Sequence, residues 1–288
     1  MKTIIKQIRE KMNMSQTEFG EKLGVSFSTI NRWENGKAYP NNMAQLNILE
    51  LAYSNNISVA ELVYEKIKLL ADAIPSEKDR VILYHGSKSG IEGKIKPNSR
   101  AKCDFGRGFY MGTIPEQPLT LICDYVDSKF YILSFDMENL NSLELQPDVD
   151  WAMYVAFNRG KMESIKGSGL YKKYEKYSEK KDIVIGSIAD DRMFFVLDNF
   201  FQGNVTDKAL VESLSVLGLG KQFVAVSEKA CRNIRIEKEV DLSLLEKKSI
   251  EKEAEKLRAE GISKANEICR ENRRKGKFFD EIIETYER

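Results

Sequence analysis

The sequence is poor in the residues that most often carry metal and hydrolytic chemistry. It holds one histidine, His85, in 288 residues. A histidine-based hydrolase would have to use that residue as its base. With no cysteine cluster beside it, no metal is expected and a structural zinc site least of all. The four cysteines, Cys103, Cys123, Cys231 and Cys269, are scattered without a C-x-x-C spacing. They read as free thiols, some of them buried, in a reducing compartment. No apolar run approaches the length that crosses a bilayer, and the polar, basic N-terminus lacks the apolar core of a signal peptide. A cytoplasmic location without membrane contact is therefore expected. A bulk charge is also missing, because 45 Lys and Arg face 44 Asp and Glu for a net charge of +1. Any nucleic-acid binding must come from a local patch. What remains, 42% hydrophobic and 31% charged, is an ordinary globular composition long enough for two domains.

The first of these, residues 1–72, is helical throughout. Ile4, Ile5 and Ile8 give a first helix one apolar face. Ser15-Gln16-Thr17-Glu18 is a capping box that starts a second, with Phe19 and Leu23 on its buried side. A third runs from about Ser26 to Asn35, with Ile30 and Trp33 at helical spacing and Gly36 as its stop. Pro40 precedes a fourth with Met43, Leu46, Leu49 and Leu51, and a fifth carries Leu62, Val63, Ile67, Leu69 and Leu70. The polar break Pro75 to Asp79 then ends the domain. The stretch from Ser15 through Lys37 closely resembles the helix-turn-helix domains of lambda-repressor and Cro type. That resemblance implies binding to double-stranded DNA with the third helix in the major groove. It puts Gln16, Phe27, Ser28, Asn31, Arg32 and Lys37 at the DNA. Asn31 and Arg32 have donors for base edges or phosphates, Gln16 and Lys37 suit the backbone, and Phe27 suits a thymine methyl or backbone. So small a domain makes few phosphate contacts, so specific binding would need a homodimer.

Residues 80–236 form the second domain. Val81-Ile82-Leu83 reads as a buried strand ending at His85-Gly86-Ser87. A glycine-aromatic segment, Asp104-Phe105-Gly106-Arg107-Gly108-Phe109-Tyr110-Met111-Gly112, follows and suits a backbone that something flat approaches closely. A helix is expected through Leu119, Leu121, Ile122 and Tyr125, and another over Trp151–Arg159. Strands are expected at Phe130–Asp136, from Asp182 into a turn at Asp190, Asp191 and Arg192, and at Lys221–Val226. The His85 and Tyr110 segments together resemble the NAD-binding core of ADP-ribosyltransferases of the poly(ADP-ribose) polymerase and diphtheria-toxin branch. The block Val81–Arg235 as a whole resembles an uncharacterised bacterial family with that core.

The resemblance implies NAD as substrate. His85 would bond the ribose next to nicotinamide, with Ser87 or the Gly86 backbone assisting. Tyr110 or Tyr125 would stack on the ring that leaves. Gly108 belongs to the cofactor-binding turn, and Arg107 would hold the pyrophosphate or serve as a solvated loop charge. Gln222 stands where the family has its catalytic glutamate. An amide keeps the hydrogen bonding but not the charge that balances an oxocarbenium-like transition state. Such a loss is on the order of 3 kcal/mol, or about a hundredfold in rate, unless Glu228 or Glu116 substitutes.

Residues 237–288 are a charged tail with Leu244, Ile250, Ala254 and Leu257 near heptad spacing and an expected break at Gly261. Ala265, Ile268 and Cys269 follow, then Arg270, Arg273, Arg274, Lys275 and Lys277, and an apolar end at Phe278, Phe279, Ile282 and Ile283. This tail packs on its own domain or serves self-association. The expected fold is α+β: an all-α five-helix DNA-binding domain, an α+β transferase-like domain with a split β-sheet, and a helical tail. The expected function is mono-ADP-ribosyl transfer to a macromolecule by a toxin or defence effector, with a cognate antitoxin as a partner. The alternative is a non-catalytic transcriptional regulator that senses NAD or ADP-ribose. Simple NAD hydrolysis is a third reading.

Overall fold

Ser15 Oγ accepts the Glu18 amide at 3.2 Å and Glu18 Oε2 accepts the Ser15 amide at 2.7 Å, so the capping box expected at the second helix forms. In the computed structural model it opens α2 (Gln16–Leu23), which follows α1 (Lys2–Lys11) and precedes α3 (Phe27–Glu34), α4 (Asn42–Ser54) and α5 (Val59–Asp72). Ser26, Asn41 and Ser58 cap α3, α4 and α5 in the same side-chain-to-backbone way. The apolar spacing read from the sequence becomes one core, with Ile4, Ile5, Ile8, Phe19, Ile30, Ile48 and Val63 fully buried. The structure describes residues 1–77, 80–188, 191–217, 220–272 and 275–287, without the side chains of 191–194, 214–217, 286 and 287. Of the turn cluster expected at Asp190, Asp191 and Arg192, Asp190 lies outside the described residues while Asp191 and Arg192 open a helix (Asp191–Phe201) in place of the turn, and the basic pair Arg273 and Arg274 lies outside the described residues.

The second domain runs β1 (Arg80–Ser87), β2 (Phe109–Gly112), α6 (Glu116–Thr120), β3 (Lys129–Asp136), β4 (Ser142–Glu144), α7 (Val149–Asn158), α8 (Gly169–Glu175), β5 (Ile183–Ser187), α9 (Asp191–Phe201), α10 (Asp207–Leu217), β6 (Lys221–Ala225), α11 (Glu228–Arg232) and β7 (Ile234–Val240). Its mixed seven-stranded sheet has the order β4-β5-β6-β2-β1-β3-β7, parallel only between β4 and β5. The helix expected through Tyr125 stops at Thr120 and continues as a turn. The expected boundary after residue 236 falls inside β7, whose alternation is masked by charge on an exposed edge strand.

Strand alternation sends side chains to two faces. Leu83, Phe109, Met111, Tyr131, Leu133 and Ile185 form a core on one face, closed by Ile91 and Ile95 from the 88–108 loop. On the other face Val184 and Val224 meet Phe105, Trp151, Tyr154 and Phe200. Beside them Tyr84, Phe130 and Ile132 join the core of the N-terminal helices.

The charged tail is neither broken nor merely solvated. Helix α12 (Leu244–Glu271) passes through Gly261 without a break, and α13 (Phe279–Glu287) follows. Leu245 and Ile250 are fully buried in the N-terminal core, while Ala265 is fully buried in the core of α7, α9 and α10. A helix of this length spans about 42 Å, enough to enter both. Its first turn is held by Glu246, 1% exposed, which accepts Lys66 Nζ at 2.8 Å and the Ser243 amide at 2.7 Å, with the Met1 ammonium at 3.5 Å. Gln45 Oε1 accepts the Leu245 amide at 3.0 Å. Burial pushes the Glu246 carboxyl up, but Lys66, the chain's ammonium and Ser243 outweigh it and hold the group below its ordinary value.

Two outcomes follow for stability. A depressed carboxyl adds stability above its unfolded pKa and loses it as pH falls through the folded value, so urea midpoints should drop on acidification below about pH 4. Glu246→Gln should flatten that dependence and cost about 2–4 kcal/mol near neutrality, because Lys66 and Met1 lose their partner. The two tryptophans, Trp33 and Trp151, also report one domain each. Urea unfolding of Trp33→Phe and Trp151→Phe, followed by the remaining indole, should give one shared transition shape and no separately melting N-terminal domain.

Candidate functional site

Strand β1 pairs along its whole length with β3, from Arg80↔Asp136 to Ser87↔Lys129. With β2 it shares the single pair Tyr84↔Gly112. Beyond that pair the sheet is split along the seam between the two strands that carry the His85 and Tyr110 motifs. The His85 ring fills the seam on the Phe109 side, stacked on Phe109 with centroids 4.3 Å apart. Its Nδ1 lies 2.7 Å from the Tyr110 carbonyl. A carbonyl only accepts, so Nδ1 carries the proton and Nε2 keeps its lone pair. Burial lowers the His85 pKa and outweighs the opposing effect of that bond. The residue is a neutral imidazole with one acceptor nitrogen.

Tyr110 and Gln222 project from the other side of the sheet, because Tyr110 pairs with Val224 and Gly112 with Gln222 in the β2–β6 ladder. The structure therefore does not gather His85, Tyr110 and Gln222 into one cluster, contrary to the sequence expectation. The Tyr110 hydroxyl donates to the Gly106 carbonyl at 2.8 Å and accepts the Phe105 amide at 3.0 Å, which ties it into the preceding turn. Burial raises its pKa.

Gln222 instead joins two residues that the sequence did not single out. Its Nε2 donates to Asp104 Oδ2 at 3.2 Å and to the Ser187 carbonyl at 3.1 Å. Both amide hydrogens are spent there, so Oε1 remains as an acceptor. Asp104 Oδ1 accepts Arg159 Nε at 2.8 Å and also bonds Arg159 Nη2. The carboxylate, the guanidinium and the amide come from the glycine-aromatic turn, the end of α7 and β6. This buried polar group lies on the Tyr110 face of the sheet, over β5 and β6. Its signal in the sequence was faint: Asp104 opens the glycine turn and Arg159 closes an aromatic helix.

The remaining expected residues sort by geometry. A Cβ on Gly86 would stand 2.4 Å from the Pro118 carbonyl and 2.8 Å from Ile122 Cγ2, so only glycine lets α6 pack against β1 there. A Cβ on Gly108 would meet Val224 Cγ1 at 2.3 Å, a close approach of strand to turn rather than of ligand to strand. Ser87 Oγ donates to the Gly90 carbonyl at 2.8 Å and closes the turn after β1. Tyr125 is exposed, with Lys88 Nζ 4.1 Å above its ring and bonded to its hydroxyl. Arg107 is exposed on the loop. Glu116 faces Lys68 at 3.6 Å on α5, and Glu228 sits in the first turn of α11 beside Cys231. Neither joins Gln222.

In the N-terminal domain, Phe27, Ser28, Arg32 and Lys37 are exposed at or just beyond α3, Phe27 at 53%. Gln16 and Asn31 are half-buried and mutually fixed. Asn31 Nδ2 donates to Gln16 Oε1 at 3.2 Å, and Gln16 Nε2 donates to Glu34 Oε2 at 2.7 Å. Arg9 Nε anchors Glu34 at 2.7 Å. Gln16 and Asn31 are therefore oriented before any partner arrives, which reduces the ordering cost of binding.

Arg159→Ala should cost about 3–5 kcal/mol in urea unfolding, because it strands the buried Asp104 carboxylate. The double change Asp104→Asn with Arg159→Met should cost clearly less. Arg32→Ala should weaken duplex binding and lower the salt slope of log K by about 1 for each phosphate that Arg32 neutralises.

Comparison with known families gives two matches. A family described as protein of unknown function (DUF3990) matches residues 81–236. A helix-turn-helix family matches residues 5–42. No curated protein and no solved structure matches the chain. The N-terminal domain is thus a helix-turn-helix domain of the kind that binds DNA sequence-specifically. Among the described residues no helix is long and apolar enough to cross a membrane.

Proposed function

The chain belongs to the DUF3990 family, joined to a helix-turn-helix domain, and on that premise we propose that its second domain binds NAD at the β1–β2 seam and transfers ADP-ribose. The observation that carries this reading is the split itself. The seam opens after Tyr84↔Gly112, and a neutral His85 with a free Nε2 lies in the opening. That nitrogen suits a ribose hydroxyl, whose O–H donates to an acceptor. Gln222 Oε1 is an acceptor held by Asp104 and Ser187 on the opposite face of the sheet, apart from His85. In the reaction the bond between ribose C1′ and the nicotinamide nitrogen breaks, and its electron pair leaves with nicotinamide. A nucleophile on the acceptor forms the new bond to C1′ and gives up its proton. The chain's own residues bind and orient the ribose; no residue here is assigned a covalent step. Among the described residues no carboxylate bonds His85, so charge stabilisation is weak and turnover slow. A toxin or defence effector that regulates its own operon through the helix-turn-helix domain would fit this pairing of domains.

One observation favours a second reading, a non-catalytic regulator with an NAD or ADP-ribose pocket. Tyr84 on β1 belongs to the core of the N-terminal helices, and α12 enters both cores, so the seam strand and the helix-turn-helix domain are packed together.

Purified protein with NAD labelled in the adenylate half, in the presence of cell lysate, separates these readings. Transfer is expected to leave label on a macromolecule and release nicotinamide, with His85→Ala at least about tenfold slower. Free ADP-ribose alone would mean hydrolysis. NAD binding without nicotinamide release would leave only the regulator.

A further inference from the structure

Helices α4 and α12 run side by side in the same direction. Gln45 Oε1 accepts the Leu245 amide at 3.0 Å near their starts, and Lys252 Nζ lies 3.7 Å from the centre of the Tyr53 ring two turns on. Between the two helices runs an open groove of about 450 Å³. Its α4 wall carries Leu46, Leu49, Glu50 and Tyr53. Leu46 is 37% exposed, and Met43, one turn earlier on the same helix, is 67% exposed. The α12 wall carries Lys248, Glu251, Lys252 and Glu255.

The order of signs on the α12 wall is self-complementary. Lys248 and Glu255 are equally far from the midpoint between Glu251 and Lys252, so reversing the helix about that midpoint exchanges every cation for a carboxylate. With about 3.6 residues per turn, Leu244 and Ala259 extend the same stripe at its two ends. Laid antiparallel on its own copy, the stripe sets Lys248 against Glu255, Glu251 against Lys252, and Leu244 against Ala259. A parallel pairing in register would set each charge on its like, so the signs select one orientation. The stripe is also free to be used. Ile250 faces inward and is fully buried in the N-terminal core, whereas Lys248, Lys252, Glu255 and Ala259 are exposed. Lys248 is ion-paired with its neighbour Glu251 on the same helix, and Lys252 meets only the Tyr53 ring. Among the described residues Glu255 has no ion pair within the chain.

We propose that the α4–α12 groove docks a second copy of this chain, with α12 antiparallel to its counterpart about a two-fold axis between Glu251 and Lys252. Charge names the occupant: a stripe that answers its own signs on reversal fits itself, and the half-exposed apolar residues of α4 flank it. One helix-turn-helix domain makes few phosphate contacts, and α4 belongs to that domain, so pairing here brings two recognition helices to one duplex. The proposal does not rest on the NAD reading of the seam.

The test is sedimentation equilibrium of the full chain from about 1 to 100 μM, the range in which a modest interface is half-dissociated. The wild-type chain should dimerise, and the dimer should weaken severalfold from about 50 to 500 mM salt as the ion pairs are screened. Lys248→Glu/Lys252→Glu and Glu251→Lys/Glu255→Lys should each weaken self-association at least about tenfold, since every charge of the stripe then meets its own sign. Mixed one to one, the two variants should associate at least as tightly as the wild type, because an acidic stripe then meets a basic one. Lys172→Glu/Lys176→Glu on and just after α8 should change nothing, and circular dichroism should show every variant folded. A wild-type chain that stays monomeric throughout the range would overturn the inference and leave the groove to a different partner. A dimer indifferent to salt, or to both reversals, would overturn it as well, as would reversed variants that stay apart on mixing. The salt series needs no substitution, so it decides the matter even where a reversed variant does not fold.

Discussion

Strand β1 has three obligations, and the way it meets them decides the rest of the structure. One edge is consumed by β3 from Arg80 to Ser87. One face is consumed by the N-terminal helices through Tyr84 and by α6 through the bare backbone of Gly86. Only Tyr84 is left to reach β2. Were β1 free to close fully on β2, His85 would lose its place in the seam and the split would vanish.

The same constraint joins the domains. Tyr84 is simultaneously a sheet residue and a member of the DNA-binding domain's core. Helix α12 repeats the connection at longer range, fixed at one end by buried Glu246 and at the other by Ala265. Breaking a buried, hydrogen-bonded charge is far more costly than losing a surface pair, so the end held by Glu246 is the firmer one. The helix-turn-helix domain and the sheet thus share packed elements, Tyr84 and α12.

Local chemistry was legible in the sequence and long-range pairing was not. The Ser15–Glu18 box and the Ile4, Ile8, Phe19, Ile30 spacing specify the helix-turn-helix domain because caps and apolar faces act over a few residues. The strand at Phe130–Asp136 and the helix at Trp151 were readable for the same reason. Asp104, Arg159 and Gln222 come from three distant segments, and a carboxylate seeking a guanidinium leaves no periodic trace. The sequence therefore suggested a His85–Tyr110–Gln222 group, whereas the pleat sends His85 to one side and the other two to the opposite side. Gly261 looked like a stop because glycine disfavours helix interiors; the site is buried, and burial overrides that preference. Edge strand β7 was hidden by Arg235, Glu237, Lys238 and Glu239, the charges that protect an exposed edge.

The central claim, that the β1–β2 seam is a nucleotide site, is open to one direct measurement. His85 is the only histidine, so its imidazole gives a single assignable set of NMR signals. Those signals should titrate below the ordinary histidine range in the free protein, as its burial requires. Saturating NAD should then shift them and lower the titration further, because Nε2 would be engaged as an acceptor only in the neutral ring. Signals that stay unmoved as NAD is raised to millimolar levels would contradict the claim.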